Sequence, residues 1–394
     1  MLPATSNLPP LPMKRTLIFV AVIAVAIAGY FFYQSQSAVA VPAASVTEFL
    51  SGESSDAFAR ATVPNNIEFP RDLGSHPDYQ TEWWYYTGNL KDETGREFGY
   101  QFTIFRQAMA PESERTADES EWRTSQIWFA HFTISDIENG DFYPFEKFSR
   151  GAAGLAGATA EPYHVWIEDW QVEEQADGRV HMTADAGEIA LDLMLTQTRP
   201  PVLHGLGGLS QKGPTEGNAS YYYSLIDQTS VGTVRIKDET FSVEGHSWKD
   251  HEYSTSVLEE GATGWDWVSL QFDNNAKNAL MLFQIRRDDG SVQPESSASW
   301  IEADGSNSYL KAEDFELEIT DWWTSDATGI EYPAGWRLTI PEIDLELTGS
   351  PKMNNQELVV SAVYWEGAVE FEGTLAGEPV TAEGYFELTG YTAP

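Results

Sequence analysis

The chain contains no cysteine, so neither a disulfide framework nor a lipid-modified cysteine anchor is available to it. Basic residues are scarce: 23 Lys and Arg stand against 61 Asp and Glu, for a formal charge of −38. Such a field repels phosphate backbones and anionic headgroups, which excludes nucleic-acid binding. The acidic residues are dispersed among apolar ones rather than run together, as on a solvated surface, and a salt-rich habitat fits the same pattern. Histidine is sparse as well. The seven histidines are scattered and, without cysteine, give no metal-ligand spacing, so no metal and no cofactor is expected. Helical periodicity is nearly missing after about residue 70, whereas aromatic residues make up 13% of the chain.

One long hydrophobic run is present, and it lies at the amino terminus. Lys14-Arg15 precede an apolar stretch from Leu17 to Tyr33, and Ala38-Val39-Ala40 follow. A basic flank, an apolar core and a small-residue cleavage site describe a signal peptide over residues 1–40. The run is also near the ~17-residue minimum for a spanning helix, and Tyr30-Phe31-Phe32-Tyr33 suits a membrane interface. Two outcomes are open: cleavage to a soluble periplasmic protein, or an anchor in the inner membrane through residues 16–33. Both export the remainder, and the second keeps it close to the membrane. Residues 41–64 read as a tether.

The rest is predicted to be all-β, from short alternating runs separated by turn residues. Glu82-Trp83-Trp84-Tyr85-Tyr86 opens a hairpin that returns along Phe98 to Arg106, and Gly264-Trp265-Asp266-Trp267 opens another that returns along Ala279 to Arg286. The repetition continues. Tyr163 to Trp170 resembles Phe315 to Trp322, and Gly232-Thr-Val with Gly245-His is matched by Gly373-Thr-Leu with Gly384-Tyr. Other strands are read at Gln126 to Ser135, Tyr163 to Val172, Thr233 to Val243 and Leu358 to Val363. One unit used twice gives domains over 65–255 and 256–394. Two glycine- or charge-rich stretches, 108–121 and 200–217, are read as exposed loops, with Gly207 to Gly213 in the second serving as a structural turn or a flexible lid.

No standard catalytic signature is complete. Ser210 lacks the glycine two positions on that a nucleophile elbow needs, and His251-Glu252 lacks the second histidine of a zinc helix. Asp250-His251-Glu252-Tyr253 is the densest polar cluster, and in a strand it puts Asp250 and Glu252 on one face, His251 and Tyr253 on the other. Catalysis there needs partners from other strands. Asp266 shares its face with Val268, Leu270 and Phe272, so burial would raise its pKa and supply a general acid; Trp265 and Trp267 share the opposite face. Glu82 shares a face with Trp84 and Tyr86, pairing a carboxylate with aromatic walls that suit apolar ligands or a developing cation. His131, alternating with Ala130 and Phe132, reads either as a satisfied structural group or as a binding residue.

His76 to Gly88, Ala130-His-Phe, Leu155-Ala-Gly, Gly217 to Ser224, Asp250-His-Glu, Gly264-Trp-Asp-Trp and Tyr364-Trp-Glu-Gly occur in one order along residues 65–394. Together these motifs resemble the AttH/carotenoid 1,2-hydratase-like family, many of whose members carry the label "predicted secreted hydrolase". The resemblance implies two consecutive lipocalin-like (calycin) antiparallel β-barrels behind the leader helix. It also implies relatives that hydrate a terminal double bond, fungal cyclisation enzymes, and gene neighbours encoding ABC-type permeases. Such hydratases use a His and an Asp beside Trp and Tyr, and His251 and Tyr253 fall in the matching segment. Where the second hairpin of a hydratase carries Tyr and Asp, this chain reads Leu282-Phe283-Gln284. The missing carboxylate then has to come from elsewhere, Asp266 being the candidate.

Three functions follow as expectations. The first is an exported barrel protein that binds a lipid or isoprenoid through Trp84, Tyr86, His131, Tyr222, Tyr253, Trp265 and Trp267. The second is a hydratase, isomerase or hydrolase acting on such a ligand, with Asp266 or Glu82 as acid, His251 positioning water or acting as base, and Trp84, Trp265 and Trp267 shaping the pocket. The third is an accessory protein of an ABC-type exporter. The enzyme requires Asp266 or His251 in a cavity with the aromatics, whereas simple binding requires an aromatic cavity without converging titratable groups.

Overall fold

The computed structural model describes residues 44–45, 57–111, 120, 124–255 and 258–393. The leader, most of the tether and most of the 108–121 loop lie outside the described residues. Among the described residues no helix is long and apolar enough to cross a membrane.

After the two-residue strand β1 (Ala44–Ser45), the first half begins with a meander of β2 (Thr81–Asp92), β3 (Glu97–Ala108), β4 (Gln126–Asp136) and β5 (Asp141–Ser149). Short strands β6 (Ala156–Ala160), β7 (Tyr163–Ile167), β8 (Trp170–Glu174), β9 (Val180–Asp185) and β10 (Ile189–Gln197) follow. The half closes with β11 (Val202–Leu203), β12 (Leu209–Gln211) and the long hairpin of β13 (Ala219–Ile236) and β14 (Glu239–Ser254). In the second half come β15 (Ala262–Phe272), β16 (Ala279–Arg287), β17 (Ser297–Ile301), β18 (Asn307–Lys311) and β19 (Glu316–Thr324). Then β20 (Glu331–Ile340), β21 (Leu345–Pro351), β22 (Glu357–Val359), β23 (Ala362–Leu375) and β24 (Glu378–Leu388) complete it.

The path of the first sheet is β5-β4-β3-β2-β14-β13-β10-β9-β8-β7-β6, and that of the second is β18-β17-β16-β15-β24-β23-β21-β20-β19. In each, the strand carrying the tryptophan motif sits between its hairpin partner and the last strand of its half. The paired glycines explain why the repeat preserves them. A Cβ on Gly232 would meet the Asp192 carbonyl oxygen at 2.0 Å, and one on Gly373 would meet that of Glu346 at the same 2.0 Å. Only a residue without Cβ lets the neighbouring strand approach that closely.

Each sheet curls around its own apolar core, the first containing Trp84, Phe102 and Trp170, the second Leu270, Trp336 and Phe386. A third cluster joins them: Tyr85, Tyr222 and Trp248 of the first barrel pack with Trp267, Phe283 and Tyr385 of the second. Alternation produces this arrangement, because β2 sends Trp84 and Tyr86 into its own barrel and Tyr85 towards the other. An aromatic side chain removes roughly 150–250 Å² from water, or about 4–6 kcal/mol before entropy, so both faces of these strands are held by burial.

Three sequence expectations need correction. Tyr163 to Val172 is not one strand: it turns between β7 and β8 at Glu168, which has φ 57°. Thr233 to Val243 likewise reverses at Lys237, with φ 56°, where β13 meets β14. Neither turn contains glycine or proline to mark it. Leu358 to Val363 is divided between β22 and β23 as well.

Candidate functional site between the barrels

A cavity of about 110 Å³ lies between the sheets, with walls of Trp83, Tyr85, Phe105, Trp265, Trp267 and Phe283. Carboxyl groups reach it from both barrels: Asp250 and Glu252 from β14, and Glu387 from β24. Lys212, delivered by the glycine-rich segment after β12, closes one side. Its ammonium lies 3.0 Å from Glu252 Oε1 and 3.9 Å from the centre of the Phe283 ring.

Asp250 accepts hydrogen bonds from the Tyr222 hydroxyl at 2.5 Å, from the Trp248 indole N–H at 2.6 Å and from the Ser224 hydroxyl. Burial nevertheless pushes its pKa up to about 7, against the opposing pull of those donors. Glu387 accepts from the Trp265 indole at 2.5 Å, and burial pushes it up to about 7 as well. Directly across the ladder from it stands Glu366, which receives the Tyr85 hydroxyl at 3.0 Å. Burial and the neighbouring Glu387 raise the Glu366 carboxyl well above its ordinary range. Two buried carboxyls this close cannot both ionise, so at neutral pH Glu366 keeps its proton.

The opposite face of β14 holds a separate network inside the first barrel. His251 Nε2 lies 2.9 Å from Glu82 Oε1, His76 Nδ1 lies 2.7 Å from the same oxygen, and Arg106 Nε donates to Glu82 Oε2 at 2.8 Å. The second nitrogen of His251 meets the Tyr223 hydroxyl at 2.9 Å, and that of His76 meets Asp72 at 3.0 Å. Burial would raise Glu82, but Arg106 and His76 outweigh it and hold the carboxyl well below its ordinary range. His76 is raised, since Glu82 and Asp72 overcome its burial, whereas burial lowers His251 to about 4.

Ligand-type atoms of His76, Glu82 and His251 lie within 4.8 Å of one another, a spacing a metal ion could use. The charges argue otherwise. Arg106 already neutralises Glu82, and a protonated His76 adds a second cation, so a divalent ion would enter beside a fixed guanidinium and displace a held proton. The donor set fits a self-compensated ion network rather than a metal centre.

Residues 60–391 match the AttH-like family. The chain belongs to that family. Among solved structures, an AttH protein of Nitrosomonas europaea is 36% identical, covering 85% of this chain and 100% of its own, with a TM-score of 0.75. Kievitone hydratase of Nectria haematococca shares the fold at 14% identity and a TM-score of 0.63, over 86% of this chain and 97% of its own. A dehydratase of Emericella nidulans, AsqC, is 22% identical over 223 residues, which is 51% of this chain. The match spans 58% of that curated relative's length.

This AttH-like chain distributes its sequence-chosen residues over several places. Tyr222, Trp265 and Trp267 line the cavity between the barrels. His251, Glu82, Trp84 and Tyr253 belong to the internal network, where Trp84 stacks on His251 at 4.7 Å and Tyr253 on His76 at 3.5 Å. Tyr86 is buried in the first core against the Tyr163 hydroxyl at 2.7 Å. His131 sits at the junction of the barrels, its Nδ1 2.7 Å from the Tyr364 hydroxyl. Asp266 is buried beside Arg286 and accepts the Tyr391 hydroxyl at 3.1 Å; burial raises its pKa against the guanidinium. Neither Asp266 nor His251 is among the residues lining the cavity.

Sequence reasoning left Asp250, Glu252, Glu366, Glu387, Lys212 and Tyr364 out of the site. Asp250 and Glu252 were within reach: they alternate with His251 and Tyr253, so the face that His251 does not occupy was theirs. Tyr364 and Glu366 fall within a family motif, Tyr364-Trp-Glu-Gly367, and share one face of β23. Nothing in the sequence marks Lys212.

Proposed function

We propose that this AttH-like protein is a hydratase-type enzyme that adds water to, or removes it from, an apolar unsaturated ligand held between the barrels. One observation carries the reading: Asp250 and Glu387, from different barrels, enter the same aromatic cavity with pKa values pushed up to about 7. Carboxyls tuned this way are protonated in part at neutral pH and able to give that proton to an alkene carbon or a leaving hydroxyl. The indoles of Trp83, Trp265 and Trp267 supply electron-rich walls that stabilise the cation formed. Kievitone hydratase and the dehydratase AsqC, whose names denote such chemistry, support the reading. Neither Asp266 nor His251 lines the cavity, so the enzyme expected to work through either of them does not hold, and this reading assigns the acid to Asp250 and Glu387 instead.

Incubation of the protein with 2-methylbut-3-en-2-ol in H₂¹⁸O tests this. Acid-assisted C–O cleavage exchanges the alcohol oxygen with solvent, and mass spectrometry should find ¹⁸O in recovered alcohol, lost in Asp250→Asn combined with Glu387→Gln. Wild-type protein that exchanges no oxygen, with this probe or with longer apolar allylic alcohols, counts against the reading.

A second reading keeps the cavity as a carrier site for a lipid or isoprenoid; its Trp, Tyr and Phe walls favour this, while the convergence of Asp250, Glu252 and Glu387 runs against the expectation for simple binding. Native mass spectrometry of protein from its own host separates the two, because a carrier retains an unaltered ligand. Export and contact with an ABC-type permease are proposals that rest on the leader and the family resemblance; cell fractionation addresses the first.

A further inference from the structure

Tyr364 touches both the cavity and a buried histidine of the other barrel. Its hydroxyl is 2.7 Å from His131 Nδ1, while His131 Nε2 is 3.2 Å from Glu146 Oε1. Glu146 is in turn held by the Ser361 hydroxyl and, at 3.3 Å, by the Ser361 backbone N–H. Burial would raise Glu146, yet His131 and Ser361 outweigh it and the carboxyl is lowered, so it is ionised at neutral pH and only accepts. Burial also lowers His131, leaving it neutral. The tautomer is therefore fixed: Nε2–H donates to Glu146, and Nδ1 accepts from Tyr364.

The order hydroxyl, imidazole, carboxylate is that of a nucleophile-and-base triad, with a phenol in first place. Phe105 and Phe129 pack around the imidazole at ring distances of 5.4 and 5.6 Å, keeping water from it. Tyr364 lines the cavity that Asp250 and Glu387 enter. Among the described residues it is the cavity-lining group whose own proton has a neutral imidazole waiting behind it.

We propose that Tyr364 is the proton acceptor of this cavity, with His131 and Glu146 as its relay. The inference rests on the acid-catalysed reading above and supplies its other half. In dehydration, a cavity carboxyl protonates the hydroxyl of the ligand and the C–O bond breaks, its electron pair leaving with water. A neighbouring C–H bond then gives its electron pair to the new C=C bond and its proton to the Tyr364 oxygen. The phenolic proton moves to His131 Nδ1, and the imidazolium formed is countered by the Glu146 carboxylate. Hydration runs the same transfers in reverse. The substrate must accordingly be an alcohol with a hydrogen on the adjacent carbon, or the alkene derived from it. Tyr364 itself stays a phenol between turnovers, because burial and the nearby carboxylates raise its pKa well above the ordinary value.

Two measurements on the full-length protein test the relay. With ¹⁵N-labelled histidine, the His131 ring, assigned by difference against His131→Gln, should show protonated Nε2 and an accepting Nδ1; Tyr364→Phe should return Nδ1 to the shift of an unbonded imine nitrogen. The opposite tautomer, or a shift unmoved by Tyr364→Phe, overturns the proposal without any substrate. With 2-methylbut-3-en-2-ol, oxygen exchange reports the acid, whereas release of isoprene also requires the proton acceptor. Tyr364→Phe should lower the ratio of isoprene released to ¹⁸O exchanged by ~100-fold, and His131→Gln should do the same. A ratio unchanged in both variants overturns the relay and leaves the acid reading standing; no exchange in wild type removes the acid reading instead.

Discussion

Trp267 of the second barrel donates its indole N–H to the Tyr222 hydroxyl of the first at 2.9 Å, and Tyr222 donates to Asp250 at 2.5 Å. A phenol has one proton, so occupying its lone pair from one side commits that proton to the other. The second barrel thereby sets the hydrogen bonding of an acid in the first. Neither barrel alone contains the site.

Tyr222→Phe removes a donor that stabilises the Asp250 carboxylate, so the Asp250 pKa should rise further. The high-pH limb of the ¹⁸O-exchange profile, where the acid loses its proton, should move to higher pH, and Trp267→Phe should move it in the same direction by less. A limb that stays in place in both variants would show that Asp250 is not the acid.

Glu387 should make the fold less stable as pH rises. Its pKa is about 7 in the folded chain against an ordinary 4.5, so between those values the native state holds a proton that the unfolded chain has released. Stability is lost across that window, and the full penalty stands above it. Relative to wild type, Glu387→Gln should therefore gain stability from pH 4.5 to 7 and level off beyond. Urea unfolding at a series of pH values measures the difference, and an equal offset at every pH contradicts it.

Glu82 anchors a structural network on this reading, so its removal should act on stability. Glu82→Gln leaves the fully buried Arg106 without its counter-ion and should cost about 3–5 kcal/mol in denaturant unfolding. Because Arg106 and His76 already compensate the carboxylate, equimolar Zn²⁺ should not raise the melting temperature of the wild type. A rise of several degrees that disappears in His251→Ala would reinstate a metal centre.

Lys249 is buried with no hydrogen bond to its ammonium, which lies 4.3 Å from the Tyr163 ring centre. Burial lowers its pKa from 10.5 to about 7, with Asp250 opposing. The stability it withholds is largest below pH 7, where the amine is charged in both states, and vanishes above 10.5, where it is neutral in both. Lys249→Met should raise the melting temperature at pH 6, and the gain should shrink towards pH 10. A gain that grows with pH would reverse the assignment.

Much of the architecture was legible in the chain because β-structure writes its geometry as alternation. Glu82, Trp84 and Tyr86 on one face, and Asp250 opposite His251, follow from a period of two residues and appear so in the fold. The paired glycines at 232 and 373 could be matched from their motifs before their close carbonyl contacts were known. Less was legible of the turns at Glu168 and Lys237, since non-glycine residues with positive φ leave no compositional mark.

The site was harder to read for a different reason. Alternation says that two side chains share a face but not what that face meets. Asp266 and His251 stood out by residue type and neighbours as candidates, and the fold surrounds each with its own partners, Arg286 and Glu82.

By itself, then, the sequence determined a duplicated all-β chain with aromatic faces, because periodicity and repetition are local properties. Tertiary structure alone decided that Asp250, Glu387 and Tyr364 meet. Tyr364 and Glu387 stand on the paired strands β23 and β24 and Asp250 on β14 of the other barrel, so only the packing of one barrel against the other encloses the carboxyls in one cavity and sets a phenol beside His131.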